Sequence, residues 1–324
     1  MKRKITLATF MLIGLGVFSQ IKSSFSSKNK DKDKDNMTYT LSNDNVNINY
    51  YSVGIDPLCL QAGNTTYMGI SPAGTVLYNN IFLHAEYNYH YLAFDANDAG
   101  TAVSGSSIYQ PTNSNDFELL GGYYFTRVVD GKVRIDLKQK GKVNYYTNVN
   151  AKYEKFIGLE GGIERGVKLI YANGQFNAVD GYSGQNTAFN GLFSTNMTYT
   201  WLYLGGSIGK LIDVTGDFSE IGKKSNKTLN KFYVHAIFAL QNQLDDIYYL
   251  SPSANGSPLY YKYQINNTVP KSNIGIRLGF NQDYFFNVMS TGAELELMPG
   301  IKGSSSTTFI RIKIQIGFNK IFNS

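Results

Sequence analysis

Phe309 to Phe318 reads Phe-Ile-Arg-Ile-Lys-Ile-Gln-Ile-Gly-Phe, and this stretch decides the fold. Side chains of a β-strand point alternately to its two faces, so a strict period of two predicts one apolar and one polar face. A tilted strand of about 9–11 residues crosses the hydrocarbon layer of a bilayer. We therefore predict that Arg311 and Lys313 line a watery lumen. The candidates for facing lipid are Ile310, Ile312, Ile314, Ile316 and Phe318.

The same alternation recurs along the chain. It is clear in 81–91, 132–138, 159–169, 273–281 and 293–297. Less regular strand patterns occupy 46–55, 117–129, 143–156, 193–204, 231–241 and 259–266. These segments predict an all-β protein, a closed antiparallel transmembrane β-barrel of about 12 strands within a range of 10–14. Their polar faces supply the other lumen-lining candidates: His84, Glu86, His90, Glu160, Glu164, Lys168, Arg277, Glu294 and Glu296.

The N-terminal residues have the layout of an export signal. A basic start at 2–4 precedes an uncharged apolar run at 5–18. That run is shorter than the roughly 20 residues a spanning helix needs, so we favour a cleaved signal peptide at 1–20 over a retained membrane anchor. Residues 21–44, in which Lys alternates with Asp and Asn from 28 to 36, are predicted to form a polar, disordered tail. The barrel is then expected to occupy 45–324.

Composition narrows the class further. Charged residues make up 17% of the chain, against roughly 25% in soluble domains. Beyond the N-terminal run, no stretch of 18 uncharged apolar residues occurs, which excludes an inner-membrane helical bundle. Cys59 is the only cysteine, so an internal disulfide is impossible. Removing the three positive charges at 2–4 lowers the formal net charge from +6 to +3, which gives no reason to expect nucleic acid as a partner.

Turns and paired aromatic residues separate the segments. Asp130-Gly131 predicts a two-residue hairpin turn, because both residue types tolerate positive φ. Lys140-Gly141-Lys142 is another turn candidate, and the polar stretch 216–229 is expected to be a long loop. Tyrosine pairs such as 50–51 and 123–124 lie near strand ends and suit the aromatic girdles of a membrane barrel. The alternative for these rings is core packing in a soluble β-sandwich.

Candidate chemistry is sparse. His84 and Glu86 share a face about 7 Å apart along one strand, so a metal site would need ligands from another strand, and lumen lining is the simpler interpretation. The sequence 205–210, Gly-Gly-Ser-Ile-Gly-Lys, lacks the spacing and the final Ser or Thr of a phosphate-binding loop. We therefore predict that the protein is not an enzyme and that it has no cofactor, metal or catalytic residue.

The chain resembles bacterial outer-membrane β-barrels as a broad class over residues 45–322. The alternation at 309–318 and the aromatic Phe322 carry the resemblance, although many such proteins end on an aromatic residue and here Asn323 and Ser324 follow. The resemblance implies a multi-pass protein in the outer membrane of a Gram-negative bacterium, surrounded by outer-membrane lipid. It implies either a passive, porin-like channel or a non-enzymatic structural or assembly subunit that binds other envelope proteins.

Overall fold

The structure is a computed structural model that describes residues 39–44, 48–62, 65–95, 114–140, 143–180, 186–219, 221–251, 259–267, 269–284, 289–301 and 308–322. The predicted signal peptide and residues 21–38 of the predicted tail lie outside these ranges. Within them the regular structure is all β, and no helix is long and apolar enough to cross a membrane. The strands are β1 (Tyr39–Asp44), β2 (Asn49–Ala62), β3 (Thr65–Tyr78), β4 (Ile81–Asp95), β5 (Ser114–Lys140), β6 (Val143–Asp180), β7 (Asn186–Phe218), β8 (Gly222–Leu244), β9 (Ile247–Ser251), β10 (Leu259–Gln264), β11 (Ile274–Tyr284), β12 (Met289–Leu297) and β13 (Thr308–Phe322).

Ten of these strands close into an antiparallel barrel, which confirms the predicted fold class. The ring runs β2-β3-β4-β5-β6-β7-β8-β11-β12-β13 and returns to β2. The final strand pairs with the first, from Ile310 opposite Ala62 to Phe322 opposite Asn49. Three strands stand outside the ring: β1 pairs with β7, and the β9–β10 hairpin joins β6. Closure leaves the ring without an open edge, so its backbone groups are paired between neighbouring strands.

The smaller of two compact units consists of the described parts of 1–44, 130–151 and 214–226. Its core contains Val133, Ile135, Leu137 and Phe218, all buried. Strand β1 belongs here, so the prediction of a disordered tail at 21–44 is wrong for residues 39–44. The ring of Tyr39 lies 5.7 Å from that of Phe218, and this contact together with pairing to β7 orders the segment.

The larger unit consists of the described parts of 45–129, 152–213 and 227–324, and it contains the closed ring. Strand β8 shows how the sequence sorts its two faces. Tyr233, His235 and Ile237 are buried inside, whereas Val234 and Phe238 are exposed outside. Successive side chains of a strand point to opposite faces. The pairing register of each strand therefore determines which of its side chains face the lumen and which face outward.

The ten strands of the ring fall at the lower end of the predicted range of 10–14, because some predicted strand boundaries are wrong. Asp130-Gly131 lies inside β5 and not at a turn, and the predicted break between 156 and 159 lies inside β6. The expected loop at 216–229 is mostly strand, with a tight connection between Phe218 and Gly222. Most of the turn candidate at 140–142 lies outside the described residues, which end at Lys140 in β5 and resume at Val143 in β6. A permissive dipeptide allows a turn, but continuous pairing with neighbouring strands prevents one.

Strand β3 was not predicted. Pro72 and Gly74 interrupt its apolar alternation, yet its neighbours supply pairing on both sides. Pro72 falls between Ile70 and Ala73, where the pairing of β3 with β4 is interrupted. The paired tyrosines also need correction. Tyr50 and Tyr124 are fully buried inside the barrel and cannot belong to a girdle, whereas Tyr123 is 45% exposed. Consecutive residues on a strand face opposite ways, so only one member of each pair can reach the outer surface.

Candidate functional site

All eleven lumen-lining candidates lie in the barrel interior. Nine are buried: Glu86, His90, Glu160, Glu164, Lys168, Arg277, Glu294, Glu296 and Arg311. His84 and Lys313 keep 16% and 18% of their side chains exposed. They come from β4, β6, β11, β12 and β13, so the closed ring brings together residues that are up to about 230 positions apart in the chain.

The lipid-facing candidates lie on the opposite face of β13. Ile314, Ile316 and Phe318 are 45%, 50% and 57% exposed, and Ile310 and Ile312 are half-buried. The strand therefore carries an apolar outer face and a charged inner face. That the outer face contacts lipid stays a prediction.

Arg277 is the centre of the interior charge network. Its guanidinium contacts Glu118, lies 2.7 Å from Glu164 and 3.2 Å from Glu294, and approaches Glu296 at 3.5 Å. The side chain is only 1% exposed. Because β11 and β5 lie almost opposite each other in the ring order, the contact with Glu118 crosses the lumen. A planar guanidinium has five donors in a fixed fork, which suits it to hold carboxylates on several sides at once.

The side chain of Tyr203 packs against the Arg277 guanidinium and accepts a hydrogen bond from it. The guanidinium carbon lies 4.0 Å from the centre of the Tyr203 ring, and one guanidinium nitrogen donates to the hydroxyl oxygen at 2.7 Å. The same hydroxyl donates to Glu164, and it lies 3.2 Å from Glu296. The phenol therefore fixes both the cation and two of its carboxylate partners, which makes the arrangement rigid.

Arg311 and Lys313 extend the network along β13. Arg311 lies 3.2 Å from Glu86 on β4 and 4.0 Å from Glu294 on β12. Lys313 lies 2.7 Å from Glu86 and 3.7 Å from Glu294. Two cations thus share the same two carboxylates, and they connect three strands of the ring.

Lys168 is the last cation of the network, and its ammonium packs against aromatic rings. Its ammonium is fully buried, 3.3 Å from Glu164 and 3.9 Å from Asp116. It lies 5.0 Å and 5.2 Å from the ring centres of Tyr199 and Trp201, which stack on each other. We call the whole set the charged partition. Its members are Lys168, Arg277, Arg311, Lys313, Glu86, Asp116, Glu118, Glu164, Glu294 and Glu296.

A second ionic cluster centres on Glu160. Lys231 lies 2.8 Å from one carboxylate oxygen and His235 lies 3.0 Å from the other. Ser207 donates to the same carboxylate at 2.6 Å. The Lys231 ammonium also lies 4.1 Å from the centre of the Phe82 ring. This part of the interior therefore combines paired charges with aromatic rings.

Connecting segments contribute an apolar layer beside Lys168. Ile265 and Val269 follow β10, Met298 and Ile301 follow β12, and all four are buried in one cluster with Trp201. A β-bridge between Lys271 and Ile301 joins the two segments. The Lys168 ammonium lies 3.4 Å from the Met298 sulfur, so this layer directly contacts the charged partition.

A cavity in the larger unit is lined by members of the partition, among them Arg277 and Lys313, and by residues outside it, among them His84, Asp283 and Gln315. Thr75 and Glu86 bond the two nitrogens of His84 at 2.8 Å and 3.3 Å. No group of three or more His, Cys, Asp or Glu residues is placed to hold a metal in the part of the chain described.

His90 lies apart from the partition's ion pairs. Its ring packs 5.1 Å from that of Tyr67, and its Nε2 is 4.0 Å from the sulfur of Cys59. Both side chains are almost fully buried. This placement is that of an interior packing residue.

Several interior residues were not predicted. Asp116, Glu118, Lys231 and His235 are all buried members of ionic clusters. Glu118 and Lys231 do lie in segments with a strand pattern. Glu118 sits between the apolar residues Phe117 and Leu119, which is a signal that could have identified it, whereas Lys231 follows the polar Asn230 and lacks that signal. Tyr199, Trp201 and Tyr203 were also missed; they alternate with Thr198, Thr200, Leu202 and Leu204, so polarity alone does not separate the two faces there.

No protein-family model and no curated protein matches the chain. Among solved structures, it is similar to mutant forms of the porin of Rh. blastica. Two of these share 11% and 10% sequence identity with it, cover 87% of this chain and 100% of their own, and give a TM-score of 0.13. A TM-score this low carries no argument, so the assignment to closed antiparallel β-barrels rests on the strand pairing.

Proposed function

We propose that the larger unit is an integral outer-membrane β-barrel that forms a channel closed at rest. The outer surface supports the membrane environment, because every strand of the ring exposes large apolar side chains. One such residue from each strand is, in ring order, Val53, Ile70, Leu83, Leu119, Leu159, Leu204, Val234, Ile276, Leu297 and Ile316. Soluble monomers rarely expose contiguous apolar patches above a few hundred Å². Exposed apolar side chains are favourable when lipid surrounds them. A closed ring is also the form of β-sheet that can span a bilayer, because all of its backbone groups are paired.

Charged residues bracket the apolar band on β6. Lys155 and Arg165 are exposed, and Ile157, Leu159 and Ile163 between them are also exposed. The interval has the length of about 9–11 residues that a tilted strand needs to cross the hydrocarbon layer. Lys155 also pairs directly with the exposed Lys210 of β7, which continues the polar border onto the next strand.

The single observation that carries closure is the position of Arg277, which joins carboxylates from nearly opposite walls. A barrel of about eight strands has an interior just wide enough for side chains to fill, and open aqueous channels are typical of 16–18 strands. A ring of ten strands is closer in size to the filled eight-stranded barrels than to the open channels. An ionic bridge across so small a lumen would obstruct diffusion, and its rearrangement would open a path.

Replacing Arg277 with lysine is expected to open the channel. The variant keeps the charge but loses the fork that holds several carboxylates together. A hydrogen bond to a charged group contributes about 1.5–3 kcal/mol, so the loss of one such bond is expected to raise the open probability about tenfold or more. Single-channel recording in planar bilayers tests this, with wild-type protein expected to stay mostly closed.

Arg134→Lys is the matched control, since Arg134 is exposed and pairs with exposed Asp136 at 2.9 Å. It should behave as wild type. A large, steady conductance of the wild-type protein would contradict closure at rest. Silence of both wild type and Arg277→Lys would contradict the channel altogether.

The second candidate is a structural or assembly subunit, and the length of four strands favours it. Strands β5, β6, β7 and β8 have 27, 38, 33 and 23 residues. Crossing a bilayer takes about 9–11 residues. The remaining residues would stand outside the membrane, where envelope proteins could bind them. We propose no enzymatic role for either candidate.

A further inference from the structure

The charged partition contains more carboxylates than cations. Six carboxylates and four cations are joined by contacts of 4.0 Å or less. Nine of these ten side chains are no more than 4% exposed, and Lys313 is the exception. Buried charge is unfavourable unless it is compensated. The surplus of two carboxylates therefore makes this level of the lumen attractive to cations.

Most of these carboxylates are gathered around one cation. Arg277 alone serves four carboxylates, which come from β5, β6 and β12. No hydrogen-bond donor reaches Asp116 Oδ2 in the described part of the chain, and the nearest ammonium, that of Lys168, is 3.9 Å away. A buried carboxylate oxygen without a donor offers a contact to a cation that enters the lumen.

The second ionic cluster does not offset this imbalance. Glu160 is flanked by Lys231 and by His235, so its one negative charge meets one fixed positive charge and one imidazole. Glu160 and Lys231 carry one formal charge each, of opposite sign, so this ion pair adds no net charge to the lumen. The sign of the field along the lumen is thus set by the charged partition.

We infer that the channel admits small inorganic cations in preference to anions, an inference that rests on the proposed channel function. When Arg277 moves, its four carboxylate partners line the opening. Rings of carboxylates select cations in pores, because their oxygens replace part of the hydration shell and repel anions. Glu118 and Glu296 are the residues we expect to determine this selectivity.

The reversal potential in a KCl gradient tests the inference. Arg277→Lys is used because it favours the open state and leaves the lumen charge unchanged. We expect potassium to permeate about tenfold more readily than chloride, which corresponds to about 1.4 kcal/mol in the free energy of entry. Adding Glu118→Gln is expected to move the reversal potential towards zero, and Glu296→Gln serves as a second variant if the first does not fold.

Asp136→Asn, added to Arg277→Lys, is the charge-matched control, because Asp136 is 68% exposed in the smaller unit. It should leave the reversal potential unchanged. A preference for chloride, or a reversal potential that neither glutamine variant moves, would overturn the inference while the channel itself stands. Absence of any conductance would overturn the proposed function and the inference together.

Discussion

Replacing Arg277 with methionine is expected to lower the free energy of unfolding by about 3–5 kcal/mol, the usual cost of removing one partner from a buried ion pair. Methionine fills similar space but leaves the carboxylates of Glu118, Glu164, Glu294 and Glu296 without their shared cation. Mutual repulsion among them then adds to the loss of hydrogen bonds. Denaturant titration of barrels refolded into phospholipid vesicles measures the change.

Two comparisons sharpen this prediction. Arg134→Met removes an exposed ion pair and should cost less than about 1 kcal/mol. Combining Arg277→Met with Glu118→Gln and Glu164→Gln should recover part of the loss, since it removes uncompensated charge. An Arg277→Met protein as stable as the Arg134→Met control would show that Arg277 does not hold the interior together.

Placing arginine at Ile314 is expected to destabilise the barrel by about 2–4 kcal/mol, the cost of this residue at the midplane of a membrane barrel. Ile314 is 45% exposed and lies at the centre of the apolar row from Ile310 to Phe318. A substitution at such an exposed position would be nearly neutral in water, usually within ±0.5 kcal/mol. The size of the change in stability therefore indicates whether lipid or water surrounds the outer face of β13.

Asn148→Arg is the control for that experiment. Asn148 is exposed on β6 in the smaller unit, outside the apolar band. Its replacement is expected to change stability by no more than about 0.5 kcal/mol. Equal effects of Ile314→Arg and Asn148→Arg in lipid vesicles would contradict a lipid-facing surface on β13.

Much of the fold could be predicted because alternation is a local property. The pattern at 309–318 identified β13, and its polar positions, Arg311 and Lys313, do lie inside. The predicted strand boundaries were wrong where pairing with strands distant in the sequence overrides local turn signals. Asp130-Gly131 continues as strand inside β5, and Pro72 did not prevent β3 from pairing on both sides.

The candidate site could be predicted only in part, for a related reason. Alternation indicates that a side chain faces inward, but not which inward side chains meet. Arg277 meets Glu118, 159 residues away, because β11 and β5 lie almost opposite each other in the closed ring. That order depends on the whole topology and is absent from either local sequence. Glu118 was also hidden by the irregular alternation around Gly121 and Gly122.

The most direct test of the account asks whether the outward row of β8 is surrounded by lipid. Nitroxide labels would be attached to single cysteines introduced at Val234, Ala236 and Phe238, and at Asn148 for comparison, in a Cys59→Ser background. We predict that labels on β8 in lipid vesicles collide readily with oxygen and rarely with a water-soluble nickel complex, with the reverse at position 148. Frequent collisions with the nickel complex at all four positions would contradict a membrane-embedded ring.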